Sequence, residues 1–470
     1  LRKEVNAILK SVRENRDSVL NKIRDGRLDA VHLSKTGLVD DIILTMNKYG
    51  ILSCLSDVIP DKRRDNTTKP FDLILGLSIA AKMKLKTAMT DVPFAIQDHR
   101  VLSELGWNLI DEGSKNKGVM TEGQLRHLFG KYKYDDFFNY YNETVQKHIM
   151  PKMNLESTIH ILDCTKIKVE LSNGNYELSE TARDSDGIYR GYKLATLRSL
   201  SKDTGIITDI RFSGMRTQDV NLSEDIILNS PMLKSGDILI NDRGFLSRAN
   251  LNYLKTIRNI DTYIPLRTNM DAFEMAVSTA KYNNKWVNHP NKRRKSQKVA
   301  LVSGLGRFWR SDNIENDVSF NACVVWDSET DKPENEFRVF ITTDLSKSAK
   351  QIIQTYELRP EIEEDYRQIK DFWKIEDFTS TKINLVAFHI MCVLFGYLFF
   401  QLYTMLPEGE ELSGKSLPVV LKNYEPKNQS HLVFYVDDEF GIFTLVETMK
   451  LYASVEESVR VVLDAVMEHV

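Results

Sequence analysis

Near residue 157 the apolar residues change period, and this change constrains the fold more than any other feature of the chain. Upstream, residues 1–150 read as helical. Val5, Leu9, Val12, Val19 and Ile23 recur at helical spacing through 2–27, and 38–54, 70–87, 121–131 and 135–150 also read as helices, with starts at Pro70 and at Thr121 with Glu122. Downstream, STIHILDCTKIKVEL is β-branched and alternating, as a strand should be. YKLATLRSLSK (192–202) and GIITDIRFSG (205–214) read as two more strands, with Asp203-Thr204-Gly205 as a hairpin turn. A helix over 219–229, a strand at GDILINDRG (236–244), a helix over 247–258 and a strand at DTYIPLR (261–267) follow. Strands at 159–169, 191–201, 205–213, 236–242 and 261–266 are therefore expected in one mixed sheet.

That order is the order of a ribonuclease H-like α/β domain. Residues 268–344 interrupt it with three strand-like stretches, VALVSGLGRFW, VSFNACVVWD and EFRVFITTDL. A long helix is expected from Ser348 to Trp373 and an apolar one over 380–405. HLVFYVDDEFGIFTLVE suggests a hairpin, and Ser454 with Glu457 has the pattern of a capping box opening a last helix. The expected fold is α/β: a ribonuclease H-like catalytic domain in two parts (155–267 and 345–405), split by a β-rich insertion (268–344). A helical N-terminal region (1–150) and a small α+β C-terminal region (406–470) flank it.

At 470 residues the chain is too long for one core. Its net charge of −3 does not announce a nucleic-acid binder, but residues 281–298 hold seven Lys or Arg and no Asp or Glu, whereas 401–470 lean acidic. Phosphate attraction follows local potential, so the asymmetry counts for more than the total. For the basic run alone, a solvated loop is an equal reading. The four cysteines include no C-x-x-C pair, so zinc-site spacing is missing, and their sparse use fits a reducing compartment. No secretory signal is read at the start; the chain begins at Leu1, and an initial segment is expected to precede it. LVAFHIMCVLFGYLFF (385–400) is shorter than the ~20 residues of a bilayer span and contains His389, so a buried core helix is favoured over a membrane span.

Three acidic residues stand out. Asp163 lies midway along the first strand, where a carboxylate is costly unless something such as a divalent metal compensates it. Asp242 sits where the fourth strand runs out, the place where ligands gather in open α/β sheets. Alone, the first could be a solvent-facing strand residue and the second a turn residue. The third is selected by helix geometry. In YELRPEIEEDYRQIK, Tyr356, Arg359, Glu363 and Lys370 are separated by two, three and six residues. At ~100° per residue these four fall within about 60° of one another, while Glu361 and Asp365 point away.

The Tyr-(2)-Arg-(3)-Glu-(6)-Lys spacing, ILDCTKI, INDRGF and RGYKLATL (190–197) together resemble the bacterial insertion-sequence transposases of the DDE type. More narrowly, they resemble the cut-and-paste superfamily with a β-rich insertion before the catalytic Glu. The resemblance covers roughly residues 155–405. It implies Asp163, Asp242 and Glu363 as catalytic carboxylates holding two Mg²⁺ ions ~3.5–4 Å apart, with Mn²⁺ able to substitute. It implies DNA cleavage by hydrolysis at transposon ends and joining of the 3′-hydroxyl ends to target DNA. Tyr356, Arg359 and Lys370 would contact phosphates near the cleaved end, with Arg243 a further candidate. Lys166, Arg190 and Lys193 are weaker DNA-contact candidates, for which a solvated surface is favoured. In the basic run, Lys292, Arg293 and Arg294 would add phosphate contacts. Trp286 could stack on an unpaired base, although ordinary packing is the better reading for it.

The implied partners are the terminal inverted repeats and target DNA, engaged by a homodimer and not by a membrane protein. The implied setting is the cytoplasm of a bacterium or archaeon, associated with the nucleoid. Some helices of 1–150 are expected to read the transposon end, and 406–470 is a candidate dimer interface. Two alternatives remain: a ribonuclease H-like nuclease without strand transfer, which would share the carboxylates, and a domesticated DNA-binding protein, which usually loses one. Strand transfer discriminates the first. The presence of all three carboxylates argues against the second.

Overall fold

The computed structural model describes residues 13–34, 37–64, 69–107, 120–184, 187–201, 204–309, 318–330, 336–423 and 431–467. The chain divides into two compact units, one of Leu1–Tyr140 with Ile369–Val470 and the other of Tyr141–Gln368.

The first unit opens on β1 (Arg13–Glu14), a helix over Arg16–Arg24 that buries Val19 and Ile23, and β2 (Ala30–Ser34). Both strands fall in a region expected to be helical. Val5, Leu9 and Val12 lie outside the described residues. The helices Leu38–Lys48 and Ile51–Val58 replace the single helix expected over 38–54. Gly50 between them takes the left-handed conformation (φ 66°), which stops the first helix. Phe71–Met83 and Glu122–Phe129 lie where expected, the first behind Pro70 and the second capped by Thr121.

The second unit holds β3 (Ile159–Val169), β4 (Glu180–Asp184), β5 (Gly187–Ser201), β6 (Thr204–Gly214), β7 (Ile238–Asn241), β8 (Asp261–Pro265), β9 (Val287–Asn288), β10 (Gln297–Leu305), β11 (Phe320–Asp327) and β12 (Phe337–Thr342). They form one sheet in the order β4-β5-β3-β7-β8-β12-β11-β10-β9, with β6 also paired to β5. β3, β7 and β8 run parallel, because the helices Asp219–Asn229 and Arg248–Thr256 carry the chain back between them. This is the mixed sheet expected of a ribonuclease H-like domain. Asp203, in the expected hairpin turn, lies outside the described residues.

The β-rich insertion continues this sheet. β12 pairs antiparallel with β8, Phe340 opposite Pro265, and β11 and β10 extend it further. One core runs through both parts and includes Leu162, Leu239, Ile264, Val324 and Ile341. The insertion also contains a helix, Asp271–Asn283, whose Ala272, Ala276 and Ala280 are buried at spacings of four residues.

After Gln368 the chain rejoins the first unit. The helix Ile383–Met405 is long and apolar enough to cross a membrane by composition, yet 89% of its most apolar stretch is buried within the protein. His389 Nε2 donates to the Lys374 carbonyl at 3.1 Å, which satisfies the polar residue in this apolar run. β13 (His431–Val436) and β14 (Glu439–Thr444) form the expected hairpin. β13 also pairs with β2 and β14 with β1, so the two chain ends share one sheet. The last helix starts at Glu457, but not through a Ser454 capping box. Ser454 belongs to the preceding helix, and its hydroxyl donates to the Leu451 carbonyl at 2.8 Å.

Candidate active site

The parallel register of β3 and β7 pairs Leu162 with Asn241. The next residues, Asp163 and Asp242, therefore emerge side by side on adjacent strands. Asp163 stays within β3 and is only 7% exposed, while Asp242 lies just past the end of β7.

The third carboxylate comes from a helix that differs from the expected one. The long helix is broken into Ala349–Tyr356, Pro360–Arg367 and a π-helical turn over Gln368–Phe372. Pro360 supplies no N–H, and although Arg359 before it keeps helical backbone angles (φ −56°, ψ −40°), the linking turn closes through i to i+3 bonds such as Arg359 N to Tyr356 O at 2.9 Å. Arg359 and Glu363 remain one turn apart and paired. Lys370 lies in the π-turn, where the regular 3.6-residue phase that grouped it with Glu363 no longer applies.

Arg359 is the centre of the constellation. Its Nη2 is 2.8 Å from Asp163 Oδ2 and 3.9 Å from Asp242 Oδ2, and its Nη1 donates to Glu363 Oε1. Asp163 Oδ1 accepts the Cys164 N–H at 2.8 Å. Burial pushes the Asp163 carboxyl up to about 6, further raised by Asp242 and Glu363, while Arg359 and the Cys164 N–H oppose the shift. Burial works against the Arg359 charge, yet the surrounding carboxylates hold its guanidinium above the ordinary value. Burial also raises the Tyr356 hydroxyl, whose ring lies 4.6 Å from that of Phe340.

Three carboxylates thus converge on one cation, a donor set of hard oxygens suited to Mg²⁺ or Mn²⁺. Among the described residues no three His, Cys, Asp or Glu side chains stand close enough to hold a metal as they are. Here the guanidinium occupies the space between the oxygens. The residues fit a divalent cation by chemistry.

The helix Pro360–Arg367 carries four acids in five residues, and three arginines divide them. Arg359 takes Glu363, Arg367 takes Glu364, and Arg198 on β5 takes Glu361 at 2.7 Å and Asp365 at 2.6 Å. Sequence reasoning put Glu361 and Asp365 on the side away from Glu363 and left them without a partner. The missed signal was Arg198 itself, a cation between Leu197 and Ser199 in a core strand, which needs a buried acid.

Elsewhere in the unit, His160 Nδ1 lies 2.8 Å from Ser199 Oγ, and His160 Nε2 lies 3.1 Å from Asp237 Oδ2. The residue types are those of a hydrolytic triad, but Ser199 and His160 are 0% exposed. No substrate reaches Ser199, whose hydroxyl also bonds Thr208 Oγ1 at 2.7 Å, so the network joins strands.

A solved structure of a piggyBac transposase synaptic complex with hairpin DNA is similar at a TM-score of 0.46 and 11% identity, covering 83% of this chain and 81% of that one, and so distant a likeness carries no weight for individual residues. No curated protein matches the sequence. Residues 156–399, just over half of the chain, match the family described as the Transposase DDE domain. The chain belongs to that family. It is a DNA transposase, a DNA-cleaving enzyme of a family that typically uses a divalent metal.

The remaining candidate DNA contacts of this transposase are presented unequally. Arg243 is exposed beside Asp242, and Lys292 and Arg293 are exposed in the insertion. Arg294 is turned inward onto Glu357 at 3.2 Å. Lys193 is paired with Asp219 at 2.7 Å and donates to the Thr217 carbonyl at 2.6 Å. Lys166 pairs with Asp184 at 2.5 Å, and Arg190 donates to Ser179 Oγ at 3.2 Å. Trp286 is half-buried in an aromatic cluster, 5.5 Å from Trp326 and 6.5 Å from Phe337, as the packing reading expected.

Proposed function

We propose that the transposase cleaves transposon ends and joins the resulting 3′-hydroxyls to target DNA, with Asp163, Asp242 and Glu363 holding two Mg²⁺ ions. The observation that carries this is the convergence of three carboxylates on one cation, one from within β3, one from just past the end of the adjacent parallel β7 and one from the helix Pro360–Arg367. When bound there, the divalent ions activate the attacking water or 3′-hydroxyl and stabilise the leaving oxygen. Arg359 exchanges its carboxylate partners for a DNA phosphate, which its fork can grip with two bonds. The exposed Arg243, Lys292 and Arg293 add phosphate contacts, as do Tyr356 and Lys370 near the cleaved end. Asp163 and Asp242, fixed by strand register, set the position of the scissile phosphate against the more exposed Glu363.

The same reading makes the protein a member of the bacterial or archaeal insertion-sequence branch with the Tyr-Arg-Glu-Lys signature, acting at the nucleoid as a homodimer that pairs two DNA ends. Helices of 1–150 read the terminal repeat, and 406–470 contributes to the dimer. The test is incubation with the element's own flanking DNA and Mg²⁺, mapping nicks to the nucleotide. Nicks at the ends with transfer to a second duplex are expected; nicking without any transfer would reduce the protein to a nuclease.

A further inference from the structure

We infer that Arg198 is a positioning residue that selects Glu363 as the metal-binding carboxylate by sequestering the two acids on either side of it. The inference rests on the assignment of Glu363 as third carboxylate. The helix Pro360–Arg367 is only eight residues long, opens at a proline and passes into a π-turn, so its own backbone bonds hold it weakly. Its orientation depends on contacts with the sheet. Arg198, 7% exposed, reaches Glu361 through Nη1 and Asp365 through Nε, two residues before and two after Glu363. A second tie lies beside it: Tyr366 OH is 2.7 Å from Thr196 Oγ1, and Thr196 is the β5 residue paired with Asp163. The clamp therefore references the Glu363 helix to the strand position of Asp163.

The backbone leaves room for it. Gly205 on β6 pairs with Leu200, two residues beyond Arg198, and an added Cβ there would lie 1.8 Å from Arg198 Cζ, so the guanidinium occupies the space that the glycine leaves open. The charge arrangement gives the clamp a second consequence. Glu361, Glu363, Glu364 and Asp365 carry the same ligand chemistry within about one turn, and a helix released to turn about its axis could bring Glu361 or Asp365 to the divalent cation in place of Glu363. With Arg198 on Glu361 and Asp365 and Arg367 on Glu364, only Glu363 is left on the side of Asp163 and Asp242, held by the arginine that touches both.

The test uses the full-length protein on an uncleavable duplex bearing the element's end, with Mn²⁺ binding followed by electron paramagnetic resonance, and kcat and KM measured on cleavable DNA. Arg198→Gln is expected to raise half-saturating Mn²⁺ and lower kcat by about 10–100-fold, the usual range for a group supporting a metal ligand, with KM for DNA unchanged. The triple variant Arg198→Gln/Glu361→Gln/Asp365→Asn removes the competing charges together and should recover most of the Mn²⁺ affinity, whereas a purely structural clamp would leave it no better than the single variant. Should Arg198→Gln fail to fold, Arg198→Lys alone and with Glu361→Gln carries the same comparison. Wild-type Mn²⁺ affinity and kcat in Arg198→Gln, or no recovery in the triple variant, overturns the inference while Glu363→Gln remains inactive. Full cleavage by Glu363→Gln overturns the carboxylate assignment beneath it, and the inference with it.

Discussion

Asp163 is the residue on which the chemistry of the site turns. Its carboxyl is raised to about 6 by burial, so the folded protein favours its protonated form. The raised value contributes stability below its ordinary value of 3.8, and that contribution is lost as pH rises through about 6. A metal ligand must be ionised, so the sign for binding is the reverse. Half-saturating Mn²⁺ for the DNA-free protein should climb roughly tenfold per pH unit below about 6 and level off above it. A titration flat between pH 5 and 7 would show that Asp163 does not limit binding. Arg359 competes for the same oxygens. Arg359→Gln should therefore bind Mn²⁺ more tightly than the wild type without DNA while binding transposon ends more weakly. Weaker Mn²⁺ binding in that variant would mean that Arg359 organises the carboxylates rather than occupying their centre.

At the scale of elements, the clamp changes what counts as a harmless substitution. Helix phase alone makes Asp365→Asn look neutral, since Asp365 points away from Glu363. Its carboxylate is buried against Arg198, however, and neutralising it leaves a buried cation with one partner fewer. Breaking such a pair costs about 3 kcal/mol or more, and urea unfolding should show a loss of that order. A loss within the error of the measurement would place the ion pair in solvent. The strands β3, β5, β6, β7 and β8 were legible in the sequence because alternation and β-branching are local signals, and so were Asp163 and Asp242. β1 and β2 were not, because their partners lie some 400 residues later and the short segments show little alternation of their own. The helix Asp271–Asn283 had a readable alanine stripe, but strand-like neighbours overshadowed it. The break at Pro360 was written in the sequence and outweighed by the regular spacing of the charged residues around it.

At the scale of the whole chain, the two ends are not separable modules. β2 pairs with β13 and β1 with β14, so removing 1–150 strips both edges from the β13–β14 hairpin. Such a truncation should give an unstable protein rather than one that has merely lost DNA-end recognition. A cooperative, undiminished melt of residues 151–470 would contradict that and restore the N-terminal region as an independent domain. The phosphate contacts of the insertion are probed separately, by replacing exposed cations in the intact chain. Lys292→Ala with Arg293→Ala should weaken binding at all sequences alike and flatten its salt dependence, as lost phosphate contacts do.

Glu363 completes the carboxylate set, joined through Arg359 to Asp163 and Asp242. The decisive measurement maps Mg²⁺-dependent nicks on the element's own ends for the wild type, Glu363→Gln and Glu364→Gln, with end binding measured alongside. Glutamine keeps the shape of the side chain and removes the charge that would hold the metal. The expected result is end cleavage by the wild type and by Glu364→Gln, whose side chain is turned to Arg367, and none by Glu363→Gln at nearly unchanged DNA binding. Cleavage by Glu363→Gln at the wild-type rate would contradict the assignment of the third carboxylate.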